Sequence, residues 1–458
     1  MTATDLALPL AHGLGGVRDL PVPGWLFYWG ASIVLVASFL ALWALWQRPL
    51  LAEASRGRPV PRLEAIVWSR ALRILLGTAS FALFVLDFVA AAIGDTSPDD
   101  NLAPRFVFVY FWLGVPALSA LFGNVWSVLS PWRAAADAAA RISERTGLRW
   151  ETPFAYPERW GRWPGTVLLL AFAAFELAYW DNSNPRAIAV AIVLYSLVTW
   201  LAMLAYGRDE WTENGEGFAV YFGLLARIAP FGERDGRLVA RWPFTGLANL
   251  DARPGTLAFI AIMLGSVAFD GFSQTDYWAV EVRAKLTREV IERSPTLADV
   301  VGGLVALTGL LLMVGFVALA YIVAVRIAAR IVHYDGDLTD AFLGSLVPIA
   351  LAYVVAHYFS FLVRESQYLA IYVSDPFGFG WDLFGTADVT PRITVLAPQT
   401  IWYVQVAALV IGHVAGLVLA HDKAVELFES PRKAAISQYA MLALMVTYTC
   451  AGLWLLSR

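Results

Sequence analysis

Residues 341–363, "AFLGSLVPIALAYVVAHYFSFLV", decide the fold. The run contains no Asp, Glu, Lys or Arg and is long enough to cross a bilayer as a helix, which takes about 20 residues. Its single ionisable group is His357. Comparable runs recur along the chain, at 24–46, 74–93, 106–122, 165–180, 187–206, 255–273, 301–325, 399–421 and 434–456. The chain is 59% hydrophobic and 15% charged, whereas soluble domains average about 45–50% and about 25%. The expected fold is therefore all-α: a polytopic membrane helix bundle of about ten transmembrane helices, forming a single transmembrane domain over 1–458. The strict alternation of a membrane β-barrel is absent.

Basic residues orient the spans, because Lys and Arg accumulate in inner loops. With the N-terminus outside, the loops facing inward carry 23 Lys and Arg, the outer segments nine, and Arg458 ends the chain. Both termini are expected outside, in a multi-pass protein of the inner (plasma) membrane. The opening "MTATDLALPLAHGLGG" lacks the basic region and full apolar core of a signal peptide and reads as part of the mature chain. A net charge of -4 argues against nucleic acid as a partner, and Cys450 alone excludes a disulfide framework or a Cys-ligated cluster. No phosphate-binding, nucleophile-elbow or dinucleotide motif is present.

Two loop regions carry structure of their own. The inner loop 207–254 contains "GFAVYFGLLARIAPF", read as an interfacial helix or a connector packed under the bundle. Outside, 274–300 is a second loop, and 364–398 contains "SDPFGFGWDLFG", which suggests an ordered cap. No internal repeat is visible, which counts against an inverted-repeat transporter.

A charged side chain at a helix centre costs about 2.5–3.5 kcal/mol on the translocon scale, so intramembrane ionisable groups are functional candidates. Asp87, Glu176, Asp270, His357 and Gln405 all fall roughly 5–9 Å below the outer boundary, at 1.5 Å per residue. His413 lies deeper, and His421 sits at the inner surface beside Asp422. Tyr353, His357, Ser360 and Arg364 form one helical stripe; Ser266, Asp270 and Ser273 form another. Lipid offers such stripes no partner, so they are expected to face inward and share an outward-facing pocket.

Three uses for that pocket stand open. His357, Asp270 and Glu176 could hold a divalent metal such as zinc and activate water for hydrolysis of an apolar ester. They could instead move protons or ions in a transporter or scaffold subunit, with His413 and His421 extending the path inward. Or they could satisfy one another and fix helix register. A haem bridging His357 and His413 is disfavoured by a depth difference of about 12 Å. His12, in "AHGLGG", is a further candidate metal ligand.

Several stretches together carry a resemblance: "AHGLGGVRDLPVPGWLF" (11–27), "GNVWSVLSPWR" (123–133), "DGFSQTDYW" (270–278), "AYVVAHYFSFL" (352–362), "SDPFGFGWDLFG" (374–385) and "YTCAGLWLLS" (448–457). The chain resembles a bacterial, largely actinobacterial, integral-membrane family named fenitrothion hydrolase. That resemblance implies hydrolysis of a phosphotriester such as an organophosphate, with Asp270 and His357 as the residues carried over by position. Some members have a second histidine just before the "AHY", where this chain has Val354 and Val355. Combined with the pocket, it implies that His357 and Asp270 hold a metal and that Glu176 serves as third ligand or general base. The loop 364–398 would then cover the site, with Phe377 and Trp381 touching an apolar small-molecule substrate.

Overall fold

The structure, a computed structural model, describes residues 24–147, 152–292, 294–392, 394–428 and 430–456. His12 lies outside these residues. The bundle is built from α1 (Gly24–Leu45), α2 (Arg70–Ile93), α3 (Leu102–Phe122), α4 (Pro131–Thr146), α5 (Trp163–Leu177) and α6 (Pro185–Tyr206). It continues with α7 (Gly217–Ala226), α8 (Thr256–Ser273), α9 (Pro295–Val332), α10 (Leu346–Glu365), α11 (Pro398–Leu427) and α12 (Tyr439–Leu456). The starts follow the usual chemistry: Ser130, Asn184 and Ser294 accept a backbone N–H with their side chains, and a proline occupies the next position.

Among the described residues, nine helices are long and apolar enough to span a membrane. The chain is an integral-membrane helix bundle. The tenth expected span corresponds to α5, which has only 15 residues, about 22 Å of helix against a hydrocarbon core of about 30 Å. Its two ends pack against the start of α8 and the first third of α9. A Cβ on Gly255, before α8, would lie 2.8 Å from the Trp163 nitrogen, and one on Gly303, in α9, 2.8 Å from the Ala178 oxygen. The first described helix begins and the last ends on one face: Trp46 donates to Asp422 at 2.8 Å, and Ser32 meets Cys450 at 3.5 Å.

The shortfall of α5 is made up by α7. An interfacial helix would show one face to water, but every residue of α7 except Gly223 is buried. A helix that is apolar all round is stable only when covered. Gly217 allows it to start against α5, since a Cβ there would sit 3.1 Å from the Gly165 oxygen. Its cap, Glu216, is fully buried, midway along α6. The carboxylate accepts from the Phe218 and Ala219 nitrogens at 2.9 Å each, from Trp126 Nε1 at 3.1 Å and from the Tyr195 hydroxyl. Glu216→Gln removes acceptor capacity from this four-donor site and should destabilise the protein by about 2 kcal/mol. Thermal unfolding in detergent reads this, and an unchanged midpoint would deny Glu216 that role.

Beyond α7 the chain forms a small antiparallel sheet, β1 (Arg58–Pro59), β2 (Phe231–Arg234) and β3 (Arg237–Ala240), in the order β1-β3-β2. The tight turn uses Asp235 and Gly236, both with positive φ.

The closest packing joins α10 and α11. Gly412 and Gly416 are spaced by four, the small-residue pattern that lets membrane helices approach. A Cβ on Gly412 would lie 2.3 Å from the Ala352 Cβ and 2.7 Å from the Pro348 oxygen; one on Gly416 would lie 2.6 Å from the Ser345 oxygen. This contact holds the His357 helix in place.

Candidate functional site

Asp270, near the end of α8, is 1% exposed. Two neighbouring residues of α10 reach it. His357 Nε2 lies 2.9 Å from Asp270 Oδ2, and the Tyr358 hydroxyl donates to the same oxygen at 2.6 Å. The two rings meet edge to face, with centroids 4.5 Å apart. With Asp270 ionised, the neutral imidazole carries its proton on Nε2, because a carboxylate only accepts. Its Cε1–Nδ1 edge then faces Gly271, where a Cβ would sit 3.7 Å from both atoms.

A small cavity lies on each side of this group. The first, lined by Glu176, Trp112, Tyr221, Ser266 and Tyr358 among others, has about 10 Å³. The second, bounded by His357, Gly271, Tyr353, Leu409, Gly452 and others, has about 20 Å³. A water molecule needs roughly 10–15 Å³ on this measure, so each cavity is of water size. Trp112 comes from a π-helical stretch of α3, Phe106–Gly114, a distortion that recurs at functional sites.

The expected residues are thus partly assembled. Asp270 and His357 touch, and Glu176 lines the cavity into which Tyr358 faces. Asp87 and Gln405 line neither cavity, and Asp87 Oδ1 is buried without a hydrogen-bond partner among the described residues. His413 bonds the Leu409 oxygen through Nδ1 at 2.8 Å, and its Nε2 is buried without a hydrogen-bond partner among the described residues; its ring lies 6.0 Å from that of Tyr353. His421 spans the opposite end of α11, between the Trp46 oxygen and Gln438, at 3.0 Å from each.

The metal expectation meets a poor donor set. Among the described residues, no three His, Cys, Asp or Glu side chains group closely enough to hold an ion. One oxygen of Asp270 is already shared by two donors. His357, Asp270 and Glu176 therefore do not fit a three-ligand zinc site, and no step is routed through a metal.

The outer loop is ordered, but elsewhere. Asp375 gathers the backbone nitrogens of Phe379 at 3.1 Å, Gly380 at 2.6 Å and Trp381 at 2.9 Å. Phe377 packs with Ala90, Leu102 and Tyr372, and the Asp95 nitrogen donates to its carbonyl at 2.7 Å. No described residue of 364–398 lines either cavity.

Sequence reasoning missed two participants and one buried ion-paired residue away from the cavities. Tyr358 and Tyr221 carry no charge and so escaped a search for ionisable groups, although Tyr358 directly follows His357. The third is Arg105, buried at 3% exposure. Its Nε bonds Glu365 Oε2 at 2.9 Å, another nitrogen bonds Asp99 at 3.0 Å, and a third bonds the Tyr372 hydroxyl. The guanidinium also lies 3.9 Å from the Tyr368 ring centroid.

No protein-family model, curated protein or solved structure matches this chain.

Proposed function

We propose that this integral-membrane protein handles protons through Asp270, His357 and Tyr358, with Glu176 as the second carboxylate on the path. The observation that carries the reading is the buried Asp270 oxygen held by both His357 and Tyr358 between two cavities of water size. Ionisable groups inside an apolar bundle are expensive and are retained where they work.

The chemistry follows from the ring geometry. A proton arriving from the second cavity adds to His357 Nδ1, and the imidazolium can then release the proton on Nε2 to Asp270 Oδ2. The net result is one proton moved across the ring. The Tyr358 hydroxyl, on rotation, accepts the proton from Oδ2 and gives its own to a water in the first cavity, where Glu176 is the next acceptor.

The test is proton flux in proteoliposomes carrying a trapped pH dye, driven by a potassium-valinomycin potential. Asp270→Asn and His357→Gln should each reduce flux at least about tenfold, a barrier increase of about 1.4 kcal/mol. Full flux in Asp270→Asn would end the proposal. The same Asp–His pair is also the arrangement that orients a general base, which favours the ester hydrolysis that the resemblance implies. Turnover of a chromogenic phosphotriester by the same samples separates the two readings. Hydrolysis lost in both variants, with no flux in the wild type, would select it.

A further inference from the structure

On the face that carries the basic loops, four arginines cluster where α5, α7, α8 and the small sheet meet. They are Arg162 before α5, Arg227 after α7, Arg241 after β3 and Arg253 before α8. Two carboxylates accompany them, Glu213 and Asp251, and both bond Arg253 at 2.8 Å. Four positive and two negative charges leave a surplus of two.

Arg162 is 6% exposed, and the one described hydrogen bond of its side chain runs from NH1 to Thr256 Oγ1 at 2.9 Å; its Nε is buried with no partner among the described residues. Arg227 holds only two long contacts, to the Gly246 and Asn249 oxygens at 3.4 and 3.5 Å. Arg241 bonds the Ala229 and Arg227 oxygens at 3.4 and 3.3 Å and has a tethering role. Burial, with Arg227 and Arg253 nearby, pushes the Arg162 guanidinium down to about 10. A buried, unpaired cation is costly, and the missing partner is an anion. Two exposed tryptophans mark the same face: Trp163 beside Arg162 at 50% and Trp242 beside Arg241 at 76%. Tryptophan at that level is an interfacial anchor, and basic pockets between spanning helices on the inner side receive lipid head groups.

We infer that Arg162 and Arg227 form a binding site for a phosphate group, that of an anionic phospholipid head group from the adjoining leaflet, while Arg253, already held by Glu213, Asp251 and Asn214, frames it. Guanidinium groups match phosphate oxygens in geometry as well as charge. The site is separate from the Asp270 group and does not depend on the proton reading.

The test uses the full chain purified in detergent and stripped of lipid, with native mass spectrometry and tryptophan-monitored unfolding as readouts. The probes are phosphatidylglycerol, phosphatidylcholine and inorganic phosphate. Wild type should bind phosphatidylglycerol at least about tenfold more tightly than phosphatidylcholine, about 1.4 kcal/mol. Arg227→Gln, on a partly exposed residue, should abolish that preference, as should Arg162→Gln where it folds. Stabilisation by inorganic phosphate alone, lost in Arg227→Gln, would support the phosphate site and assign it to a free anion. An equal response of wild type and Arg227→Gln to every probe would overturn the proposal.

Discussion

Gly412→Leu should leave no folded, monodisperse protein. The smallest possible side chain atom at this position already falls 2.3 Å from the Ala352 Cβ and 2.7 Å from the Pro348 oxygen, both on the facing helix and neither able to rotate away. A leucine forces α10 and α11 apart along their closest contact. That separation reaches Tyr353 and His357, one turn further along α10. Gly412→Ala demands a smaller shift and should cost about 1–3 kcal/mol, the usual range for overpacking. Fluorescence-detected size exclusion followed by thermal unfolding grades the series. A leucine variant with wild-type elution and midpoint would mean that α10 and α11 do not approach through Gly412.

Arg105→Met comes next, with an expected loss of about 3 kcal/mol, the low end for breaking a buried ion pair, since Arg364 Nε still bonds Glu365 Oε1 at 2.9 Å. The side chains of Arg105 and Glu365 are 4% and 6% exposed, so water cannot replace Arg105 at Glu365 Oε2. The methionine also gives up the bonds to Asp99 and Tyr372 and the stacking over Tyr368. The double variant Arg105→Met, Glu365→Met should recover part of the loss, because it removes both buried charges. Thermal unfolding of the two single variants and the double variant measures the coupling. Strictly additive losses would show that Arg105 and Glu365 act independently.

The spans were legible because run length and the absence of charge are local properties. What escaped is what depends on neighbours. Nothing inside "GFAVYFGLLA" tells an interfacial helix from one enclosed by the bundle; that is decided by the 15-residue α5, whose shortness opens the room. The candidate site divides the same way. Depth along a helix is readable by counting residues, and it brought Asp270 and His357 to one level. Rotation about the bundle axis is not readable, so Asp87 and Gln405 share that level without sharing the cavities. Glu365 was passed over for a third reason. It sits two residues beyond the expected end of its span and counted as loop, although the structure buries it on Arg105.

The enclosed position of α7 also constrains how the protein is made. Its 10 residues are too few to be threaded across the bilayer as a span, and its surroundings come from α3 and α5, made before it, and α10, made after it. The ribosome has therefore released well over a hundred further residues before the cradle around α7 is complete. Until then the side of the segment that meets α10 stays uncovered, the rest being able to pack on α3 and α5. During synthesis this stretch, unlike the long spans, gains its last cover only from a helix that the ribosome has yet to make.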